Sequence, residues 1–165
     1  MGNPGQQEAG AEPPDNRAFR VSKALSTAEA ICQHRGLRLT PIRRRVLELI
    51  WKNDEPVGAY ALLDQLRQHG KRAMPPTVYR ALEFLLDAGL IHRLATLNAF
   101  VGCAHPEHPH QGQFLICRAC GRAVEMESSS VGRSLRREAE AFGFVVEDES
   151  IELTGQCRDC SGIEN

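Results

Sequence analysis

The sequence predicts an α+β chain in two parts, a helical half closing in a short strand hairpin and a strand-rich half stapled by cysteine pairs. Three observations predict it. Apolar residues recur at helical spacing in four successive segments up to Gly89, each bounded by glycine or proline. Short alternating strands take over after Gly89. Charge divides at the same place: residues 17–93 carry 14 Lys/Arg against 7 Asp/Glu, whereas 94–165 carry 6 against 11.

Residues 1–18, rich in Gly, Pro, Gln and acids, have little to bury and are expected to form a disordered tail. The helical pattern starts at about Ser22, with Leu25, Ala28, Ile31 and Cys32 on one face and Gly36 as C-cap; Cys32 is expected to be a small core residue. Thr40-Pro41 is an N-cap followed by proline at the first helical position, opening IRRRVLELIWKN, which Glu55-Pro56 ends. AYALLDQLRQHG turns Leu62, Leu63 and Leu66 inward, with Gly70 closing it. Pro75-Pro76 introduces TVYRALEFLLDAG, whose stripe is Val78, Leu82, Leu85 and Leu86. LIHRLA and AFVGCA then form a hairpin around Thr96-Leu97-Asn98. Over residues 19–102 this is the order of a winged helix-turn-helix. Further on, QFLIC and AVEME read as strands, SSSVGRSLRREAEAFG as a serine-capped helix, and FVVEDESIELTG as a last strand interrupted by acids.

The composition also excludes classes. No stretch is apolar enough to cross a bilayer and the N-terminus has no secretory core, so a cytoplasmic protein is expected. The basic first half points to a polyanionic partner for that half alone. In the fourth helix the apolar stripe turns Thr77 and Arg80 outward near the N-terminus, where an arginine can bridge guanine O6 and N7 in the major groove of double-stranded DNA. Arg43, Arg44 and Arg45 open the second helix as phosphate contacts or a solvated face.

Cys117-x2-Cys120 and Cys157-x2-Cys160, 36 residues apart, supply four thiolates, the ligand set of a closed structural zinc site. Arg118 and Arg158, each following the first cysteine of a pair, are placed to offset the charge. Disulfides do not suit a chain without a secretion signal. Cys103 remains, near His92, His105, His108, His110, Glu125 and Glu127. Such a mixture of sulfur, nitrogen and oxygen donors suits zinc better than magnesium or calcium. Two imidazoles, a thiolate and a carboxylate would leave Zn²⁺ electrically neutral, and four protein donors leave no open position for hydrolytic chemistry. No catalytic residue is assigned.

TPIRRRVLELI, AYALLDQLR, PPTVYRALEFLLDAGLIHR, FLICRACGRAVE and the closing CRDC resemble the ferric uptake regulator family, over about Ser22 to Cys160. The likeness is greatest to its zinc-sensing branch: HPHQGQFLIC stands where iron-sensing members carry a His-His-Asp-His run, and AFVGC places a thiolate after the wing. The resemblance implies regulatory zinc ligands His92, Cys103, His110 and Glu125, structural ligands Cys117, Cys120, Cys157 and Cys160, and two Zn(II) per chain. It leaves His105 and His108 unassigned. It implies that Tyr60 contacts bases, that residues 113–165 form a dimerisation domain, and that 103–112 are a hinge carrying metal ligands. The implied protein is a homodimeric, zinc-responsive repressor of zinc-uptake genes on a palindromic operator, with no membrane and no small-molecule substrate. The competing reading within the family is a sensor of iron, manganese or peroxide.

Overall fold

A computed structural model describes residues 14–68, 73–108, 110–126 and 128–162, with side chains from residue 17. Four helices come first: α1 (Pro14–His34), α2 (Pro41–Lys52), α3 (Ala59–Gln68) and α4 (Pro75–Asp87). Helix α1 begins earlier than its apolar pattern, so residues 14–18, expected in a disordered tail, are helical; residues 1–13 lie outside the described residues. The extra turn has a tertiary cause, since Arg17 and Arg20 both pair with Asp54 beyond the end of α2.

Both Gly36 (φ 66°) and Gly89 (φ 69°) adopt the left-handed conformation that ends a helix. After α1 the Leu37 amide returns to Cys32 O at 2.8 Å, and after α4 the Leu90 amide returns to Leu85 O at 2.9 Å. Thr40 and Ser128 occupy N-cap positions, but neither side chain accepts a capping hydrogen bond; Gly70 lies outside the described residues.

The helices enclose one apolar core in which Ala28, Cys32, Val46, Leu62, Leu66, Val78 and Leu85 are almost wholly buried. The hairpin that follows pairs β1 (Ile91–Leu94) with β2 (Ala99–Gly102), antiparallel, with Leu94 opposite Ala99. Its strands alternate between two cores. Ile91 and Phe100 join the helices, whereas Leu94 and Val101 join Phe114, Ile116 and Ala123 of a second sheet.

That sheet has the order β4-β3-β5, with β3 (Gln113–Cys117), β4 (Ala123–Glu125) and β5 (Ile151–Gly155). β4 is antiparallel to β3 and β5 is parallel to it, so helix α5 (Ser129–Ala141) is the crossover between them. The acid-interrupted run after Gly143 is strand only at Ile151–Gly155, shorter than expected, because residues 144–150 find no ladder partner beside β3. A four-residue helix, α6 (Arg158–Ser161), closes the described chain.

Gly102 has no room for a side chain, since a Cβ there would collide with the Trp51 indole of α2. Gly102→Ala is expected to cost about 1–3 kcal/mol by overpacking, seen as a thermal midpoint several degrees lower with no change in metal stoichiometry.

Candidate metal centre and nucleic-acid interface

Parallel pairing of β3 with β5 explains how cysteines 36 residues apart meet. Both strands run toward the same edge; Cys117 ends β3, and Cys157 lies two residues beyond β5. The four sulfurs of Cys117, Cys120, Cys157 and Cys160 all lie within 4.8 Å of one another. Cys120 Sγ and Cys157 Sγ are 3.8 Å apart, and none of the six cysteines is in a disulfide. The Cys157 amide donates to Cys117 Sγ at 3.3 Å. That bond, with those from Cys120 and Ala119, lowers the Cys117 thiol to about 6, while the neighbouring sulfurs of Cys157 and Cys120 push Cys160 up to about 12. A soft divalent cation relieves the repulsion that keeps four such thiols from ionising together. Arg118 donates to Thr154 Oγ1 of the neighbouring strand at 2.8 Å.

The second cluster joins the two sheets. His92 of β1, Cys103 just after β2, His110 and Glu125 of β4 bring one donor atom each within 4.8 Å of the others. Cys103 is buried at 2 % exposure, and its sulfur is 3.6 Å from His110 Nε2. Glu125 Oε1 is 2.7 Å from that same Nε2 and 3.1 Å from His92 Nε2, and Oε2 accepts the Ala104 amide at 3.2 Å. Burial pushes the Glu125 carboxyl up, but the two imidazoles and the amide outweigh it and hold the carboxyl at about 2, hence ionised.

The donor set fits a bound cation on its own chemistry. His110 Nδ1 lies 2.9 Å from the His108 carbonyl, to which only a protonated Nδ1 can donate. In the neutral ring this leaves an Nε2 lone pair facing a carboxylate and a sulfur, an arrangement of acceptors that needs a proton or a metal between them. His92 Nε2 is buried and makes no aligned hydrogen bond despite its nearness to Glu125.

His105 and His108 are exposed beside this cluster, not among its four donors. His108 contributes through its main chain, a role no sequence pattern announces, because any residue can supply a carbonyl. Glu127, a candidate on alternation alone, lies outside the described residues.

The helical half exposes the other candidate site residues. Thr77 and Arg80 are exposed on the first turns of α4, and Tyr60 stands 72 % exposed at the start of α3. Tyr79 is 45 % exposed and lines the same surface hollow as Tyr60, with Arg93 and Asn98 of the hairpin. It sits at the edge of the apolar stripe, where spacing does not decide between core and surface. Arg43 lies over the Phe84 ring, 3.6 Å from its centroid, and Arg45 pairs with Glu48 at 2.8 Å. Arg44 pairs with Glu29 at 2.8 Å; both are half exposed, so the pair is weak and exchangeable for a phosphate.

The fold and its donors define a winged-helix protein with a four-thiol cluster in its second sheet and a mixed nitrogen, sulfur and oxygen cluster between the wing and that sheet. The model of the ferric uptake regulator family matches residues 34–154, and the chain belongs to that family. It is 40% identical over 145 residues to the zinc uptake regulation protein of Escherichia coli (strain K12), covering 87% of this chain and 85% of that one. A solved zinc uptake regulator complexed with zinc and DNA matches with a TM-score of 0.82 at 38% identity, over 86% of this chain and 95% of that one. Holo XcZur matches with a TM-score of 0.79 at 43% identity, over 89% and 99%; the apo form of XcZur, at the same identity over 87% and 99%, reaches only 0.52. The fold of this chain is thus more similar to holo XcZur than to the apo form.

Replacing a sulfur by an oxygen tests the four-thiol cluster. Cys157→Ser is expected to lower bound metal by one ion per chain and to drop the thermal midpoint of the second sheet by on the order of 10 °C, because metal binding and folding are coupled there. Elemental analysis and calorimetry read the two effects.

Proposed function

We propose that this chain is a zinc-responsive transcriptional repressor that binds a palindromic operator as a homodimer and represses zinc-uptake genes. The observation that carries this reading is the mixed cluster, whose four donors come from both sides of the wing–sheet junction. His92 and Cys103 belong to the wing side, and His110 and Glu125 to the sheet side. Two zinc ions per chain fit the donors: Cys117, Cys120, Cys157 and Cys160 would hold one permanently, and His92, Cys103, His110 and Glu125 would hold the other reversibly. Zinc in the mixed cluster supplies a charge-compensating cross-link and no reaction chemistry, so the protein is a regulator and not an enzyme. The Cys103 thiolate disfavours iron and manganese sensing.

In this reading residues 19–102 are the DNA-binding domain, 103–112 the hinge and 113–165 the dimerisation domain. Thr77 and Arg80 on α4, with Tyr60, read bases, and Arg44 contacts phosphate after leaving Glu29. Among the described residues no helix is long and apolar enough to cross a membrane; a cytoplasmic site of action fits a partner of duplex DNA.

Dimerisation has its own support. Helix α5 buries only Gly132, while Leu135, Phe142, Phe144 and Val145 stay exposed around it. β5 is an edge strand of its sheet, and Leu153 on it is 53 % exposed. A second copy covering these groups would remove apolar surface from water and set two α4 helices for adjacent major grooves.

The holo-like arrangement supports the clasp mechanism. With His92, Cys103, His110 and Glu125 tied together, the wing keeps its angle to the second sheet. With them released, the binding-competent geometry is populated only part of the time, and DNA affinity falls by that fraction.

The deciding experiment is a paired titration. Operator binding should rise steeply with buffered free zinc, and Cys103→Ser should lose that response while keeping the dimer and one zinc per chain. Unchanged zinc dependence in Cys103→Ser overturns the proposal. Arg80→Ala at saturating zinc is expected to weaken specific binding roughly ten- to a hundredfold, as loss of a bidentate guanine contact does, with little change in binding to unrelated DNA in the same gel-shift assay.

A further inference from the structure

One row of side chains runs straight across the second sheet. The register sets Phe114 of β3 opposite Glu125 of β4 on one side and opposite Glu152 of β5 on the other. Laterally paired residues share a face, so Glu125, Phe114 and Glu152 point the same way, toward the wing. Strand β1 lies over this row. His92 meets Glu125 at 3.1 Å and the Phe114 ring at 5.3 Å between centroids, and Leu94, fully buried, packs with Phe114. At the far end Glu152 accepts two main-chain amides of the wing turn, Ala95 N–H on Oε1 at 2.6 Å and Thr96 N–H on Oε2 at 2.9 Å.

The two carboxylates hold the two ends of one short stretch of chain. Glu125 does so as a member of the metal cluster. Glu152 does so directly, with both oxygens used and no ion involved. Burial opposes its ionisation, yet the Thr96 side chain and the amides of Thr96 and Ala95 lower its carboxyl below the usual range.

We infer that Glu152 is a positioning residue: a metal-independent pin that fixes the wing turn to the second sheet, so that closing the mixed cluster only has to set an angle about that point. The inference rests on the clasp reading of the mixed cluster and deepens it. A pin of this kind reduces the conformational freedom lost when zinc binds, so its removal raises the zinc concentration needed for DNA binding and lowers affinity even at saturating zinc.

Glu152→Ala and Glu152→Gln in the full-length dimer test this. Glu152→Ala is expected to keep two zinc ions per chain, to speed hydrogen exchange at the Ala95 and Thr96 amides on the order of tenfold, and to weaken operator binding at saturating zinc roughly five- to tenfold. Glu152→Gln, which keeps one acceptor oxygen, should lie between Glu152→Ala and the parent in both readouts. A purely local stabilising role would lower the melting temperature and leave the zinc midpoint of DNA binding where it was. Unchanged exchange at Ala95 and Thr96, or an unchanged zinc midpoint and affinity in Glu152→Ala, overturns the inference. Cys103→Ser, run alongside, separates the two failures. If it loses its zinc response while Glu152→Ala behaves as the parent, the clasp stands and the pin falls. If it keeps its response, the clasp itself is wrong.

Discussion

Strand β1 facing the second sheet is the contact on which the molecule's behaviour depends. It belongs to the helical half by connection and through Ile91, yet its other face belongs to the sheet through His92 and Leu94. A strand with side chains alternating between two cores couples them mechanically. Ile91, one residue from His92, is part of the helical core, and β1 contacts α4. The mixed cluster sits at one end of this coupling and the α4 surface at the other.

Much of this was legible in the sequence, for identifiable reasons. Helices α2 to α4 are written in apolar spacing and bounded by Pro41, Pro75 and Gly89, each of which acts through a local backbone constraint. The cysteine pairs were legible because CxxC has few uses. Position 103 stood out because it was the cysteine left over near a group of histidines. What stayed hidden depends on main-chain groups or tertiary partners. The start of α1 owes its extra turn to Asp54, which no periodicity within α1 encodes. The length of β5 is set by where β3 offers a ladder, and the exposure of Tyr79 by how α4 seats on the core. The support given to His110 comes from a main-chain carbonyl, and that given by the Glu152 carboxylate is received by main-chain amides, groups common to every residue.

The two clusters differ in ways that match permanent and reversible roles. The four thiols lie between strand ends within a single sheet, so their geometry is fixed once β3 and β5 pair. The mixed cluster spans two sheets, and two of its donors, Cys103 and His110, stand on the connecting segment between β2 and β3. In the proposed reading an ion in the first would hold a fold together, and an ion in the second would be exchanged at the cost of an angle. At equal sequence identity the chain matches holo XcZur far better than its apo form.

The absence of a side chain at Gly102 has a consequence beyond stability. Because the Trp51 indole occupies the space where a Cβ would stand, β2 is pressed against α2 one residue before Cys103. The cluster's sulfur is thus surveyed from the same helix against which α4 packs. Cys103 and helix α4 thus share one point of reference in α2, which Gly102 meets directly through the Trp51 ring.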